Sequence, residues 1–324
     1  MTEPRKPVAA FDFNAAAGGA FHTQGGKAFA IRLWFWMAAF TSIVFIVTLP
    51  LFMKHYGGFL EMNWLNMKAM MSGETPDSAG FTELIIPALP GYLTLMLGMW
   101  VVMAAGETAF YKKYYFNEEA PRQPLKLNGD VFRTMGVQIS VYLCWALGLF
   151  VFTFIGSLIA AILAFVPILS AIFVLFFAIA LIALMVAIPI KLAPSAALTV
   201  ANDKFHVPST RHVTKFRFWN LFLAYLVTWV GGYLMYTIVM TLAVALATGD
   251  PGFMGAISGL SEENPRIMFE AAAEKFSNPL FMFLGIIAMI IVAGAFSAWQ
   301  MLIMGVNAYA VRWWKEDNPT PNFE

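Results

Sequence analysis

Glu107 is the acidic residue set deepest in an apolar run of this chain. A carboxyl group is costly in hydrocarbon, and one that is held there handles an ion, a proton or a substrate by default. Glu107 precedes Lys112 and Lys113 by one to two helical turns, late in its run. The spacing favours a side chain that reaches out to the interface beside those lysines. Lys191, at the end of another apolar run, reads the same way. Gln138, Gln300 and Asn307 are the larger neutral polar residues inside such runs. They could line a polar cavity with Glu107, although hydrogen bonding between helices is the plainer role for them.

A second candidate is the stretch 191–219, KLAPSAALTVANDKFHVPSTRHVTKFRFW. Arg211, His212, Lys215 and Arg217 alternate there with Val213, Phe216, Phe218 and Trp219. Cations mixed with aromatics just before an apolar run suit contact with anionic lipid headgroups. Flanking positive charge of the usual kind gives the same pattern. Met62, Met67, Met70 and Met71, with His55 nearby, offer soft donors of the type that bind Cu(I), but such a site needs a convergence that spacing alone does not supply. The four histidines form no pair at one-turn spacing, Cys144 is the one cysteine, and neither a phosphate-binding Gly-Lys-Ser/Thr loop nor a Gly-x-Ser-x-Gly elbow is present. No catalytic residue, metal or cofactor is expected.

The elements that must position these residues are helices in lipid. Of the 324 residues, 60% are hydrophobic and 12% charged, and the mean hydropathy is +0.71. Soluble domains carry about twice that share of charge. The net charge of +1 gives no field to attract nucleic acid. A helix needs about 20 apolar residues to cross the hydrocarbon, and candidate spans fall at about 33–53, 84–109, 135–165, 168–190, 220–247 and 280–310. Each is too long for a strand, and only helices satisfy their backbone within one segment. The expected fold is all-α. It has a segment 1–32, a six-helix transmembrane domain 33–310 and a tail 311–324. Pro87 and Pro90 are expected in the first turns of the second span.

Lys and Arg set the orientation. With the N-terminus inside, only Lys54, Lys68, Arg266 and Lys275 fall outside, while the acidic residues divide almost evenly. That is the form of the positive-inside rule, and it places both termini in the cytoplasm. Trp34, Trp36, Trp219, Trp313 and Trp314 are expected as anchors at the headgroup level. Short helices are expected near Phe11–Phe21, within 54–83, and from Pro265, with Asn264 as its cap. Ala196, Ala197, Val200 and Ala201 are expected to share an apolar face. Gly156 with Ala160, and Gly294 with Ala298, have the spacing of helix-packing seams.

Lys191-Leu192-Ala193-Pro194, Ala197-Leu198-Thr199-Val200 and Lys215-Phe216-Arg217-Phe218-Trp219 resemble a group of bacterial polytopic membrane proteins. That group is related to the membrane domain found ahead of some glycerophosphodiester phosphodiesterases. The ends of spans two and six, Phe110-Tyr111-Lys112-Lys113 and Asn307-Ala308-Tyr309-Ala310-Val311-Arg312, are similar in style. The resemblance implies a bacterial inner-membrane protein. It carries no activity across, because the chain has no room for a phosphodiesterase domain. Scarce charge in the spans and little mass outside them lead to the expectation of a non-enzymatic scaffold, assembly or lipid-associated component. Its partners would be membrane lipids and either other proteins or copies of itself. A transporter or channel component is the alternative, and a lipid-modifying enzyme is third. The enzyme would need Glu107, Asp130, His206 or His212 to converge on one cleft.

Overall fold

The computed structural model describes residues 11–19, 21, 23, 25–72, 79–118, 125–207, 210–215, 217–249, 265–275 and 277–317. They form helices and no strand. In chain order these are α1 (Phe13–Ala17), α2 (Gly26–Ser72), α3 (Ala79–Phe116), α4 (Gly129–Leu163), α5 (Pro167–Leu192), α6 (Ser195–Asn202), α7 (Thr210–Thr214), α8 (Phe218–Thr248), α9 (Pro265–Lys275) and α10 (Pro279–Asp317). Six of them, α2, α3, α4, α5, α8 and α10, are long and apolar enough to cross a membrane.

Helix ends differ from the apolar runs because capping and helix propensity set them. α4 begins at Gly129 and not near 135, since Asn128 is its N-cap and accepts from the Val131 amide at 3.1 Å. Asp130 then lies in the first turn, where the helix dipole favours an acid. α2 does not stop where the apolar run stops. It continues as one 47-residue helix to Ser72, because Leu60, Glu61, Met62, Leu65, Met67, Lys68, Ala69, Met70 and Met71 are strong helix formers. The helix expected within 54–83 is therefore largely the far end of span one. α3 starts at Ala79, so Pro87 and Pro90 lie inside it and not in its first turns. The Thr94 hydroxyl donates to the Pro90 carbonyl at 2.8 Å. Pro167 opens α5 and Pro265 opens α9, the position where a missing N–H costs least. Asn264, expected as the cap of α9, lies outside the described residues.

The chain divides into two compact units. The first comprises Met1–Ala30, Ala104–Trp229 and Met301–Glu324. Its core holds Phe110, Tyr111, Val131, Leu198, Val213, Met304 and Val306, all buried. α6 is buried along Ser195–Ala201 and ends on Asp203 in the left-handed region, so the expected one-sided face is in fact covered all round. The Ser195 and Thr210 hydroxyls lie 2.9 Å apart, the Thr199 hydroxyl accepts from the His206 amide at 3.1 Å, and Lys315 donates to the Ala201 carbonyl at 3.0 Å. Gly19 meets Gly305 backbone to backbone: a Cβ on Gly19 would lie 2.7 Å from the Gly305 Cα, and one on Gly305 would lie 2.7 Å from the Ala16 carbonyl oxygen. The Asp12 amide donates to the Tyr309 hydroxyl at 3.0 Å. Phe177 of α5 lies over Gly156 of α4, leaving no room there for a Cβ, so the Gly156 seam joins these two helices.

The second unit comprises Ile31–Met103 and Val230–Gln300. Ala243, Ala247 and Ala288 form its small-residue centre with Val292 against them. The Trp34 indole donates to the Gly294 carbonyl at 2.8 Å, and Trp299 fills the space over Gly232. Arg266 of α9 bonds Glu61 of α2 at 2.9 Å and Glu270 at 2.8 Å.

Candidate functional site

The last turns of α3 read Glu107-Thr108-Ala109-Phe110-Tyr111-Lys112-Lys113-Tyr114-Tyr115. A helix advances about 100° per residue. Glu107 therefore shares a face with Tyr111, about 40° away, and lies about 140° from Lys112. The structure follows that geometry. Glu107 is only 9% exposed and lies beside Gln138 of α4. It does not reach out beside the lysines. Thr108 donates to the Ala104 carbonyl at 2.7 Å and pairs with Thr134 of α4 at 2.9 Å. Thr134 and Gln138 are one turn apart on α4, so two successive turns of α4 each set a polar side chain beside the adjacent Thr108 and Glu107 of α3.

The network continues to two other helices. The Asn307 amide of α10 donates to the Tyr111 hydroxyl at 3.3 Å. The Tyr225 hydroxyl of α8 donates a short hydrogen bond to the Asn307 carbonyl oxygen. Tyr115 donates to the Ala308 carbonyl at 3.0 Å. Glu107 is close enough to couple electrostatically with Tyr111, Tyr142 and Tyr225. Two buried acceptors are left without a hydrogen-bond partner among the described residues, Glu107 Oε2 and Gln138 Oε1.

Of the residues expected around a polar cavity, Glu107, Gln138 and Asn307 lie in this network. Gln300 belongs to the second unit. Tyr111 and Tyr225 did not stand out in the sequence. The available signal was the four-residue spacing of Glu107, Tyr111 and Tyr115 within an apolar span, because a buried phenol needs a partner.

Beside the network the first unit has a cleft of about 300 Å³ lined by Lys112, Phe116, Glu118, Asp130, Arg133, Thr199, Val200 and Asp203. Its charges are paired. Lys112 lies 2.6 Å from Asp130 and 3.7 Å from Glu118, and Arg133 bonds both Asp130 and Asp203. The ion pairs tie the end of α3, the start of α4 and the end of α6. Of Glu107, Asp130, His206 and His212, this cleft takes only Asp130 into its lining.

The cationic segment divides by orientation. Arg211, His212 and Lys215 are exposed, and Trp219 is 74% exposed. Arg217 turns inward, 8% exposed, with its guanidinium 4.7 Å from the centre of the Trp313 ring. Phe11 packs against Tyr309 and Trp313, each at 5.2 Å. Trp313 and Trp314 are buried and hold the first unit together, whereas Trp219 has the exposure of an interface anchor. Burial, followed by the charges of Lys204 and Lys315, holds the His206 imidazole below its ordinary pKa.

Among the described residues no group of three or more His, Cys, Asp or Glu side chains is placed to hold a metal ion. Met62 is buried and Met67 half-buried on α2, while the side chains of His55, Met70 and Met71 lie outside the described set.

Comparison of the chain with protein-family models, with curated proteins and with solved structures gave no match to any of them.

Proposed function

We propose that this protein is an integral component of the bacterial inner membrane, with both termini in the cytoplasm, that serves as a non-enzymatic scaffold or assembly partner. The observation that carries this reading is the α4–α5 hairpin. The most apolar stretch of α5 contains no buried residue, and that of α4 almost none. Phe150, Phe154 and Ile162 on α4, and Ile168, Phe176 and Ile182 on α5, are all more than half exposed. A spanning helix in a bundle usually buries one stripe against its neighbours. Apart from Val131, Thr134 and Val137 at the start of α4 and Ile190 at the end of α5, these two bury little beyond their mutual seam at Gly156 and Phe177, so they offer two broad apolar faces to lipid and to a membrane partner. The exposed Arg211, His212, Lys215 and Trp219 suit anionic headgroups beside them.

Cys144 lies exposed on α4 and is the natural place for a cross-linker. The test is thiol cross-linking in native membranes, followed by gentle extraction and native mass spectrometry. A Cys144-dependent adduct, either with a second copy or with one protein at fixed stoichiometry, supports the assembly role. A monomer with no adduct and no accompanying protein refutes it. The transporter alternative has one observation in its favour, the buried Glu107 carboxyl.

A further inference from the structure

Glu107 is a carboxyl group inside a helix bundle that is otherwise poor in charge. It is more than nine-tenths buried, and among the described residues no Lys or Arg forms an ion pair with it. An ionised carboxylate in that position would stand without a counter-charge, a state that proteins avoid by pairing or by neutralising the group. The groups around it are not cations. Tyr111 on its own helix, Tyr142 on α4 and Tyr225 on α8 are the titratable side chains that face it, and α10 adds the uncharged Asn307 to the network.

The two unpartnered atoms identify what is missing. Glu107 and Gln138 lie side by side, and Glu107 Oε2 and Gln138 Oε1 are both buried without a hydrogen-bond partner. These two oxygens belong to adjacent side chains, and both are acceptors in the ionised state. One proton on Oε2 removes the charge and creates a donor for Gln138 Oε1.

We infer that Glu107 and Gln138 form a buried proton-binding site in which the acid is held neutral and shares its proton with the Gln138 carbonyl oxygen. The proton comes from water and returns to it, and no other bond changes. The Tyr111, Asn307 and Tyr225 chain lies beside this site.

The test is infrared spectroscopy of the full chain in vesicles of bacterial phospholipid, titrated in H2O and D2O. A protonated carboxyl C=O band is expected at neutral pH. It should shift in D2O and disappear in Glu107→Gln, whose thermal midpoint should match that of the wild type because it replaces a neutral acid with a neutral amide. Gln138→Leu should keep the band and move it to higher frequency, since the acceptor of the O–H is gone. If Glu107→Gln fails to fold, the Gln138→Leu shift still decides the matter. Absence of a protonated carboxyl band from the wild type at neutral pH overturns the site. So does a band unaffected by either substitution. A carboxylate that is ionised at neutral pH and stabilised by added sodium overturns it in favour of an alkali-metal site.

Discussion

Gly305 and Gly231 show how differently one residue type can be used in neighbouring helices. A Cβ at Gly305 would lie 2.7 Å from the Ala16 carbonyl oxygen, a backbone atom that cannot swing away, whereas a Cβ at Gly231 meets nothing within 4 Å. Gly305→Ala should therefore destabilise the protein by about 1–3 kcal/mol, the usual cost of overpacking. Gly231→Ala should be neutral or stabilise it by up to about 1 kcal/mol through higher helix propensity. Thermal unfolding of the two variants in the same detergent checks the pair, and equal effects would contradict the packing described at Gly305. His206 gives a prediction in pH. Its folded pKa is lowered, so the unfolded chain binds the proton more readily. The stability contribution is complete above the unfolded value of about 6.5 and is lost as pH falls from there to the folded value. His206→Gln should flatten the fall of the unfolding midpoint with pH in that window, and an unchanged slope would show that other groups cause it.

At the scale of elements, apolar runs were readable and helix ends were not. All six spans lie where hydropathy puts them. α2 overshoots its run because Met, Leu, Lys and Glu keep a backbone helical long after the chain has left hydrocarbon, and α4 starts early because Asn128 caps it. At 47 residues α2 is about 70 Å long, well beyond a hydrocarbon core of about 30 Å. Its C-terminal part must therefore stand clear of the membrane on one side. In the proposed orientation that side is external. With Cys144 changed to serine, Leu65→Cys should react with a membrane-impermeant maleimide in intact cells. Lys204→Cys should react only after permeabilisation. The reverse pattern would invert the proposed topology.

For the whole molecule, the sequence readily disclosed a helical bundle and only partly its polar interior. Glu107 stands close to Lys112 and Lys113 in sequence, but its angular position on α3 turns it away from them and into the protein. Tyr225 and Asn307 are 82 positions apart, and no local pattern links them. Arg217 looked like its exposed neighbours Arg211 and Lys215, and only the packing of α10 reveals that it turns toward Trp313. Proximity across helices is a property of the fold, so these pairings become visible only when the fold is known.

The contact of α1 with α10 also bears on time. Asp12 and Tyr309 are 297 positions apart, and Gly19 has its seat on Gly305. A ribosome adding about 5–20 residues per second takes roughly 15–60 s to make the intervening chain. Throughout that interval α1 has no α10 to settle on. It can dock only after the sixth span has been made, so its docking is a late event of folding. A chain that stalls before α10 leaves α1 without its seat on Gly305.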